Sequence, residues 1–162
     1  MIREIIKLGD PRLYEVCDEV TEADQLLLDS WIRDLHDTLF DFREKYGAGR
    51  AVAAPQIGVR KRLIYMYTDK EYVFINPVLR FPDEELMEVL DDCMSFPGLC
   101  VKVMRYKHAE ITYTDIAGAR QEMKLEGDYA ELVQHEYDHL NGILATMRAK
   151  DDKAFILMQM KR

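Results

Sequence analysis

The stretch QHEYDHL, residues 134–140, has the residue types and spacing to bind a metal ion and use it. His135 and His139 are four residues apart, so on a helix both imidazoles project from one face, about one turn apart. Two such imidazoles can bind one ion, and Glu136 between them is placed to accept a proton from a water molecule that the ion activates. The stretch therefore indicates a hydrolytic metal site, with a chance pair of histidines on a solvated helix as the alternative.

Two histidines leave a catalytic site of this kind one protein ligand short, because three are normal. A third histidine six residues after His139 is excluded, since Ala145 stands there, and no glutamate follows in the remaining sequence. The candidates that remain are Cys17, Cys93, Cys100, His36 and His108. Cys93 stands out because turn-forming residues follow it, which predicts a loop. Cys100 lies in an apolar run and is more typical of a core position, and the two histidines are more typical of surface or packed positions.

The elements that must position these residues begin with a long amphipathic helix. Apolar residues recur at three- and four-residue spacing, a helical period. They are Leu28, Ile32, Leu35, Leu39, Phe42 and Tyr46. Thr21 and Asp24 form a capping box that would begin the helix, and Gly47 would end it.

The histidine pair is predicted to lie on a second helix. Asp128 is its expected N-cap, Glu131 stands at the capping-box position, and Asn141-Gly142 supplies the end. The C-terminal segment 151–162 is expected to form a short helix.

Strands are predicted between the two helices. Alternating and β-branched patterns mark the segments 61–68, 71–79, 101–115 and 120–127. Turns are expected at Asp69-Lys70 and Ala117-Gly118, and Asn76-Pro77 should end regular pairing because proline lacks the ladder donor. Small residues dominate 47–59, which predicts either a tight buried connection or an edge segment that lines a cleft, with Gln56 reaching in.

Composition limits the class of protein. At 162 residues, with 48% hydrophobic and 32% charged residues, the chain is expected to form a single domain over 1–162. A net charge of -8 argues against a DNA or other nucleic-acid partner. No run suits a membrane span or a signal peptide, and three widely spaced cysteines favour a reducing cytosol.

Three motifs follow one another along the chain: GRAVAAPQ at 49–56, DDCMS at 91–95 and QHEYDHLNG at 134–142. In this order and spacing they resemble the peptide deformylase family over nearly the whole chain. The first is similar to that family's GxGxAAxQ, the second is similar to EGCLS, and the third matches QHExDHLxG in full. Weaker similarities are DPRL near the start, Ile75-Asn76-Pro77 and Arg105.

This resemblance implies an α+β fold, with mostly antiparallel strands around a central metal-binding helix and an N-terminal helix packed outside. It implies one divalent metal, Fe(II) in vivo and Zn, Ni or Co as possible occupants, bound by Cys93, His135 and His139. The implied activity removes the formyl group from formyl-methionyl peptides of nascent chains at the ribosome and releases formate, in the bacterial cytoplasm, with no membrane partner.

The resemblance also assigns catalytic roles. Glu136 would be the general acid and base, while the Gln56 side chain and the Met94 backbone N–H would stabilise the formyl oxygen. Substrate contacts are expected along the cleft edge and in a methionine pocket. The edge residues are Gly49, Ala51 and Val52, and the pocket residues are Leu132 and Val133.

The chain departs from the family pattern at Met94, a mild change from leucine, and at three further positions. Ala51 adds a methyl group where substrate backbone should pass, Asp91 shortens a carboxylate expected to pair with Arg105, and Asp92 replaces a glycine beside Cys93 and forbids any conformation that only glycine tolerates. These departures keep two alternatives open. One is an amidohydrolase with a different N-acyl substrate, and the other is a catalytically weak protein that binds peptide or metal.

Overall fold

The computed structural model describes residues 1–158, and within them the fold is α+β, as expected. Two α-helices lie at Gln25–Tyr46 (α1) and Asp128–Leu140 (α2). The strands are β1 Ala51–Ala53, β2 Leu63–Tyr67, β3 Glu71–Arg80, β4 Leu86–Asp91, β5 Leu99–Tyr106, β6 His108–Thr114, β7 Arg120–Glu126 and β8 Phe155–Leu157. Short 3₁₀ turns occupy Pro11–Tyr14, Glu22–Asp24, Ala54–Ile57 and Ala145–Arg148.

The strands form two antiparallel sheets with α2 between them. The larger sheet has the order β1-β2-β3-β6-β7, and the smaller has the order β4-β5-β8. Helix α2 contacts strands of both sheets, and ten of its residues are buried. A helix covered on two sides can hold polar groups away from water, which is the position expected for the metal-binding helix.

Helix α1 packs on the other side of the larger sheet and begins and ends as predicted. The Thr21 N–H donates to the Asp24 carboxylate at 2.8 Å, in the turn that leads into the helix. Gly47 ends it in the left-handed conformation, with φ 68° and its N–H bonded to the Arg43 carbonyl at 2.8 Å. The buried stripe of α1, which includes Leu35 and Leu39, packs against residues of β1 and β2.

The expectation that Asn76-Pro77 would end strand pairing was wrong. Strand β3 continues to Arg80, and the pairing with β6 shifts register between Ile75 and Val78. Asn76 adopts φ 49°, and its side-chain amide exchanges hydrogen bonds of 2.8 and 2.9 Å with the backbone of Val20. A β-bulge therefore accommodates Pro77, which has no backbone N–H to donate, and the pairing with β6 resumes after it.

The C-terminal helix expected over 151–162 is also contradicted where the structure describes it. Phe155–Leu157 form β8, which pairs with β5, and the remainder of the prediction lies outside the described residues. The acidic stretch before Cys93 forms β4, a strand that the sequence did not predict. Cys100 is half-buried opposite Ile156, not in the core as expected, because it lies on the more exposed face of β5. Among residues 1–158, no helix has the length and apolarity to cross a bilayer.

Gly142, immediately after α2, is expected to be essential for stability. Its φ is 71°, and a Cβ atom there would overlap the Tyr14 carbonyl group. Gly142→Ala should lower the free energy of unfolding by about 3 kcal/mol, through backbone strain and forced displacement together. Urea denaturation measures this change.

Gly118→Ala is the matched control, since Gly118 has φ 81° with open space around its Cβ position. This variant should lower the free energy of unfolding by about 1 kcal/mol, because only the backbone strain applies. Equal losses in the two variants would contradict the predicted overlap at Gly142.

Candidate metal centre

Helix α2 and the loop after β4 bring the three predicted ligands together. Cys93, His135 and His139 are all buried, and one donor atom from each lies within 4.8 Å of the other two. The Cys93 Sγ atom is 3.3 Å from His139 Nε2. Cys93 lies outside regular strands, as its turn-forming neighbours predicted. One thiolate and two imidazoles in this arrangement can bind a tetrahedral or similar divalent ion with a position left open.

Asp91 orients the first of the two histidines. Its Oδ1 atom is 2.9 Å from His135 Nδ1. The two atoms are close enough for an ion pair, but the angle at Nδ1 does not meet that of a hydrogen bond. The other ring nitrogen, Nε2, is turned toward the cavity, 3.9 Å from Glu136 Oε1. Contacts of this kind select which nitrogen a histidine offers to a metal.

A buried chain of alternating charges supports Asp91 from behind. Arg105 is 3% exposed and donates to Asp91 Oδ2 at 2.7 Å and to Asp138 Oδ2 at 2.6 Å. Arg148 holds the Asp138 carboxylate from the surface at 2.7 and 2.9 Å. Asp91, shorter than the carboxylate of the family pattern, therefore still reaches Arg105. Burial opposes ionisation, but the charges of His135 and Arg105 hold the pKa of Asp91 well below its usual range.

The loop from Cys93 to Gly98 presents the sulfur to two donors. The Ser95 backbone N–H and the Gln56 side-chain amide both lie 3.4 Å from Cys93 Sγ. Donors directed at the sulfur stabilise negative charge on it, which a thiolate ligand requires. Asp92 next to it is exposed and has no positive φ, so the aspartate occupies this position without the backbone strain that the missing glycine suggested.

Gln56 joins the edge of the larger sheet to the cysteine loop. Its Oε1 atom accepts the Ala53 N–H at 2.9 Å, and its Nε2 atom donates to Ser95 Oγ at 3.0 Å. The side chain is fully buried. Segment 47–59 therefore contains a buried edge strand, β1, and Gly49 and Ala51 also line a cavity, but Gln56 is not among the residues that line it.

The polar atoms of α2 fit a metal and a reacting water. Within the part of the chain that the structure describes, Glu136 Oε2 and His139 Nδ1 are buried without a hydrogen-bond partner. Burial raises the pKa of Glu136 to about 7, although the charge of His135 opposes this. Burial and the same charge lower the pKa of His139, which favours the neutral form of its ring. Buried polar groups that lack partners call for an ion, a water or a substrate.

A cavity of about 470 Å³ opens beside these residues. Of the expected contact residues, Gly49, Ala51, Leu132 and Met94 line it. Val52 and Val133 do not line it and are buried elsewhere, in the core against α1 and against the larger sheet respectively. Side chains alternate along a strand, so Val52 points away from the face that Ala51 presents.

Two cavity residues, Arg50 and Glu131, were not recognised from the sequence. Asp128 was expected to be the N-cap of α2 with Glu131 at the capping-box position, but Gly127 occupies the N-cap position and no side-chain cap forms. Glu131 instead lines the cavity, with Arg50 Nη2 3.5 Å from its carboxylate. Burial and the neighbouring Asp91 carboxylate raise its pKa to about 8. The signal was present, because Glu131 precedes His135 by four residues and so shares its helix face.

His36, His108 and Cys17 lie away from this centre, whereas Cys100 lines the cavity beside it. His36 is half-buried on α1, with Nδ1 2.6 Å from the Tyr65 hydroxyl, and Cys17 is buried in the core. His108 is within 3.0 Å of Asp83 and near Glu85, a second group of possible metal-binding type, but the two carboxylates are exposed. Exposed groups of this kind are common without an ion, so the buried triad is the stronger candidate.

Comparison with known proteins places this fold and centre among metal-dependent hydrolases. The sequence model of the polypeptide deformylase family matches residues 2–155. Peptide deformylase 1 of Nitrosomonas europaea is 37% identical over 96% of this chain and 92% of its own length. Peptide deformylase 1 of Bordetella pertussis is also 37% identical, over 93% of this chain and 89% of its own.

Solved structures give the same result. The crystal structure of peptide deformylase from Thermotoga maritima superposes with a TM-score of 0.84 at 32% identity, covering 93% of this chain and 99% of that one. A peptide deformylase from Synechococcus elongatus in complex with actinonin gives 0.84 at 31% identity, over 93% and 80%. The chain belongs to the polypeptide deformylase family.

Proposed function

We propose that this chain is a peptide deformylase that hydrolyses the formyl amide of formyl-methionyl peptides and releases formate. The observation that carries the proposal is the buried set of Cys93, His135 and His139 beside the unpartnered carboxylate of Glu136, in a chain of this family. A binding protein would need the ligands but not a buried base next to them. Release of formate from a formyl-Met-Ala-Ser peptide by the metal-loaded protein tests the proposal.

The three ligand residues would hold one divalent ion, for which we propose Fe(II). When bound, such an ion polarises the formyl carbonyl and makes a water molecule acidic enough to attack it near neutral pH. The donor set suits iron and zinc alike, so the choice of iron rests on the family resemblance. Metal analysis of protein purified without oxygen tests it.

Glu136 would manage the protons of the reaction. Its carboxylate accepts the proton of the attacking water and then delivers it to the departing amine, a general base followed by a general acid. Its Oε2 atom, buried and without a partner in the described residues, is available for this exchange. The formyl oxygen would receive hydrogen bonds from the Met94 backbone N–H and from the Gln56 N–H that is directed at Cys93 Sγ. Both residues flank Cys93, and the Gln56 amide is held in place by Ala53 and Ser95.

The peptide would bind along the free edge of β1. This strand pairs only with β2 within the described sheet, so its other edge can accept an extended peptide as an added strand. Gly49 and Ala51 line the cavity at this edge, and their small side chains allow close approach. Location in the bacterial cytoplasm and action on chains at the ribosome complete the proposal, supported by bacterial relatives and free cysteines.

Removal of the metal should abolish formate release, and Fe(II) should restore it. Asp91→Asn should weaken metal affinity about 10–100-fold, because the neutral amide no longer orients and polarises His135. Competition with a chelator of known affinity measures this change.

Asp152→Asn is the matched control, since it makes the same chemical change at an exposed position that is not among the residues lining the cavity. It should change metal affinity less than about threefold, as expected for a screened surface charge. If both variants lost affinity equally, a general charge effect would replace the proposed role of Asp91.

A further inference from the structure

The cavity beside the candidate metal centre has one strongly polar wall. Glu131 lines it with its side chain only 10% exposed, and Arg50 lies at the mouth with 44% exposed. Arg50 also lies 3.8 Å from Asp128 at the start of α2. The roles proposed for Glu136 and Gln56 do not use Arg50 or Glu131, although Glu131 also neighbours Asp91, which orients His135.

This wall lies in the cavity where, under the proposed function, the first side chain of the substrate would bind. Glu131 precedes His135 by four residues, so its side chain lies one helical turn, about 5 Å, from the ligand on the same face. A formyl group held at the metal centre would place the side chain of the next residue beside that turn. Leu132 and Phe42 also line the cavity and supply apolar surface for the stem of that side chain.

The chemistry of the pair complements a carboxamide. Arg50 offers N–H donors, and the Glu131 carboxyl offers an acceptor. The two are 3.5 Å apart, longer than a strong charge-assisted hydrogen bond, so the Arg50 guanidinium retains donors for a ligand even though Glu131 also contacts Asp91. Glutamine has the same side-chain length as methionine and ends in one acceptor and one donor group. A thioether at this wall would leave a buried polar group without a partner.

We propose that Arg50 and Glu131 form a polar subsite that lets this protein deformylate peptides beginning with formyl-glutamine nearly as well as those beginning with formyl-methionine. The inference rests on the proposed function and specifies the substrate class of the same site. The protein would then be a deformylase that accepts glutamine as well as methionine as the first residue of the peptide, because of the Arg50–Glu131 pair.

The test compares formate release from formyl-Met-Ala-Ser, formyl-Gln-Ala-Ser and formyl-norleucyl-Ala-Ser by the metal-loaded protein. The kcat/KM of the glutamine peptide should lie within about tenfold of the methionine value. Glu131→Leu should lower the glutamine-to-methionine ratio about tenfold or more, and norleucine should then gain relative to glutamine. Arg50→Met, at the exposed mouth, should shift the ratio in the same direction without risk to the core.

Glu84→Leu is the control, because Glu84 is exposed in the loop before β4 and should leave the ratio unchanged. A preference for methionine over glutamine greater than tenfold in the unaltered protein would overturn the inference, even if Glu131→Leu failed to fold. So would an unchanged ratio in both cavity variants. No formate from any of the three peptides would overturn the proposed function and this inference with it, whereas formate from the methionine peptide alone would overturn only the inference.

Discussion

Glu136→Gln is expected to lower kcat for formate release by about 10²–10⁴-fold, the usual contribution of a general acid–base group. The amide keeps the size and hydrogen-bonding ability of the side chain but cannot accept and return a proton. Because Glu136 is not one of the three ligands, metal content should stay the same. Steady-state kinetics and metal analysis on the same preparation measure both quantities.

Glu122→Gln is the control, since it makes the same chemical change at an exposed position on β7. It should leave kcat within about twofold, as expected for a surface substitution. Loss of metal in parallel with activity in Glu136→Gln would show that Glu136 supports the ligands and does not transfer the proton.

Arg105→Met is expected to lower the free energy of unfolding by about 3–5 kcal/mol, the largest stability effect in the chain. The buried guanidinium neutralises Asp91 and Asp138 together, at 2.7 and 2.6 Å. Without it, Asp138 keeps Arg148, but Asp91 keeps no guanidinium partner, and its remaining neighbours are His135 and Glu131. Urea denaturation of the metal-free protein measures the loss without the contribution of the ion.

Arg80→Met is the matched control. Arg80 pairs with Glu110 at 2.9 Å, but its side chain is 64% exposed. An exposed pair contributes at most about 1 kcal/mol, so this variant should be close to the unaltered protein in stability. A loss in Arg105→Met as small as that in Arg80→Met would mean that the buried carboxylates find other partners.

The buried charges also have a consequence for acid stability. The folded-state pKa of Asp91 is lowered, so its stabilising contribution is present above the unfolded value of 3.8 and is lost as pH falls below that value toward the folded pKa. Acid unfolding is therefore expected to begin as the pH falls below 3.8, the unfolded-state pKa of Asp91.

The sequence predicted α1 and α2 well because their signals are local. Thr21 with Asp24 and Gly47 define the ends of α1 by backbone chemistry that tertiary contacts do not override. The metal-binding pattern is local too, since the spacing of His135 and His139 determines a shared face. Cys93 could be singled out only by eliminating other ligands and by resemblance, because the approach of its loop to α2 depends on long-range packing.

The errors came from contacts between distant segments. Residues 155–157 pair with β5, and an edge strand of only three residues is too short to give a recognisable pattern in the sequence. The β3 bulge is stabilised by two hydrogen bonds between the Asn76 side chain and the backbone of Val20, 56 residues away. Glu131 was read as a cap because its position relative to Asp128 fits that motif, but the charges around it, Arg50 and Asp91, come from elsewhere in the chain.

The central claim is that this protein is a deformylase whose single metal is held by Cys93, His135 and His139. The most direct test is formate release from formyl-Met-Ala-Ser, followed while the metal-free protein is titrated with Fe(II) in the absence of oxygen. We predict that activity rises linearly and saturates at one ion per chain, and that Cys93→Ala neither retains the ion nor releases formate. Saturation with one bound ion and no formate above background would contradict the account.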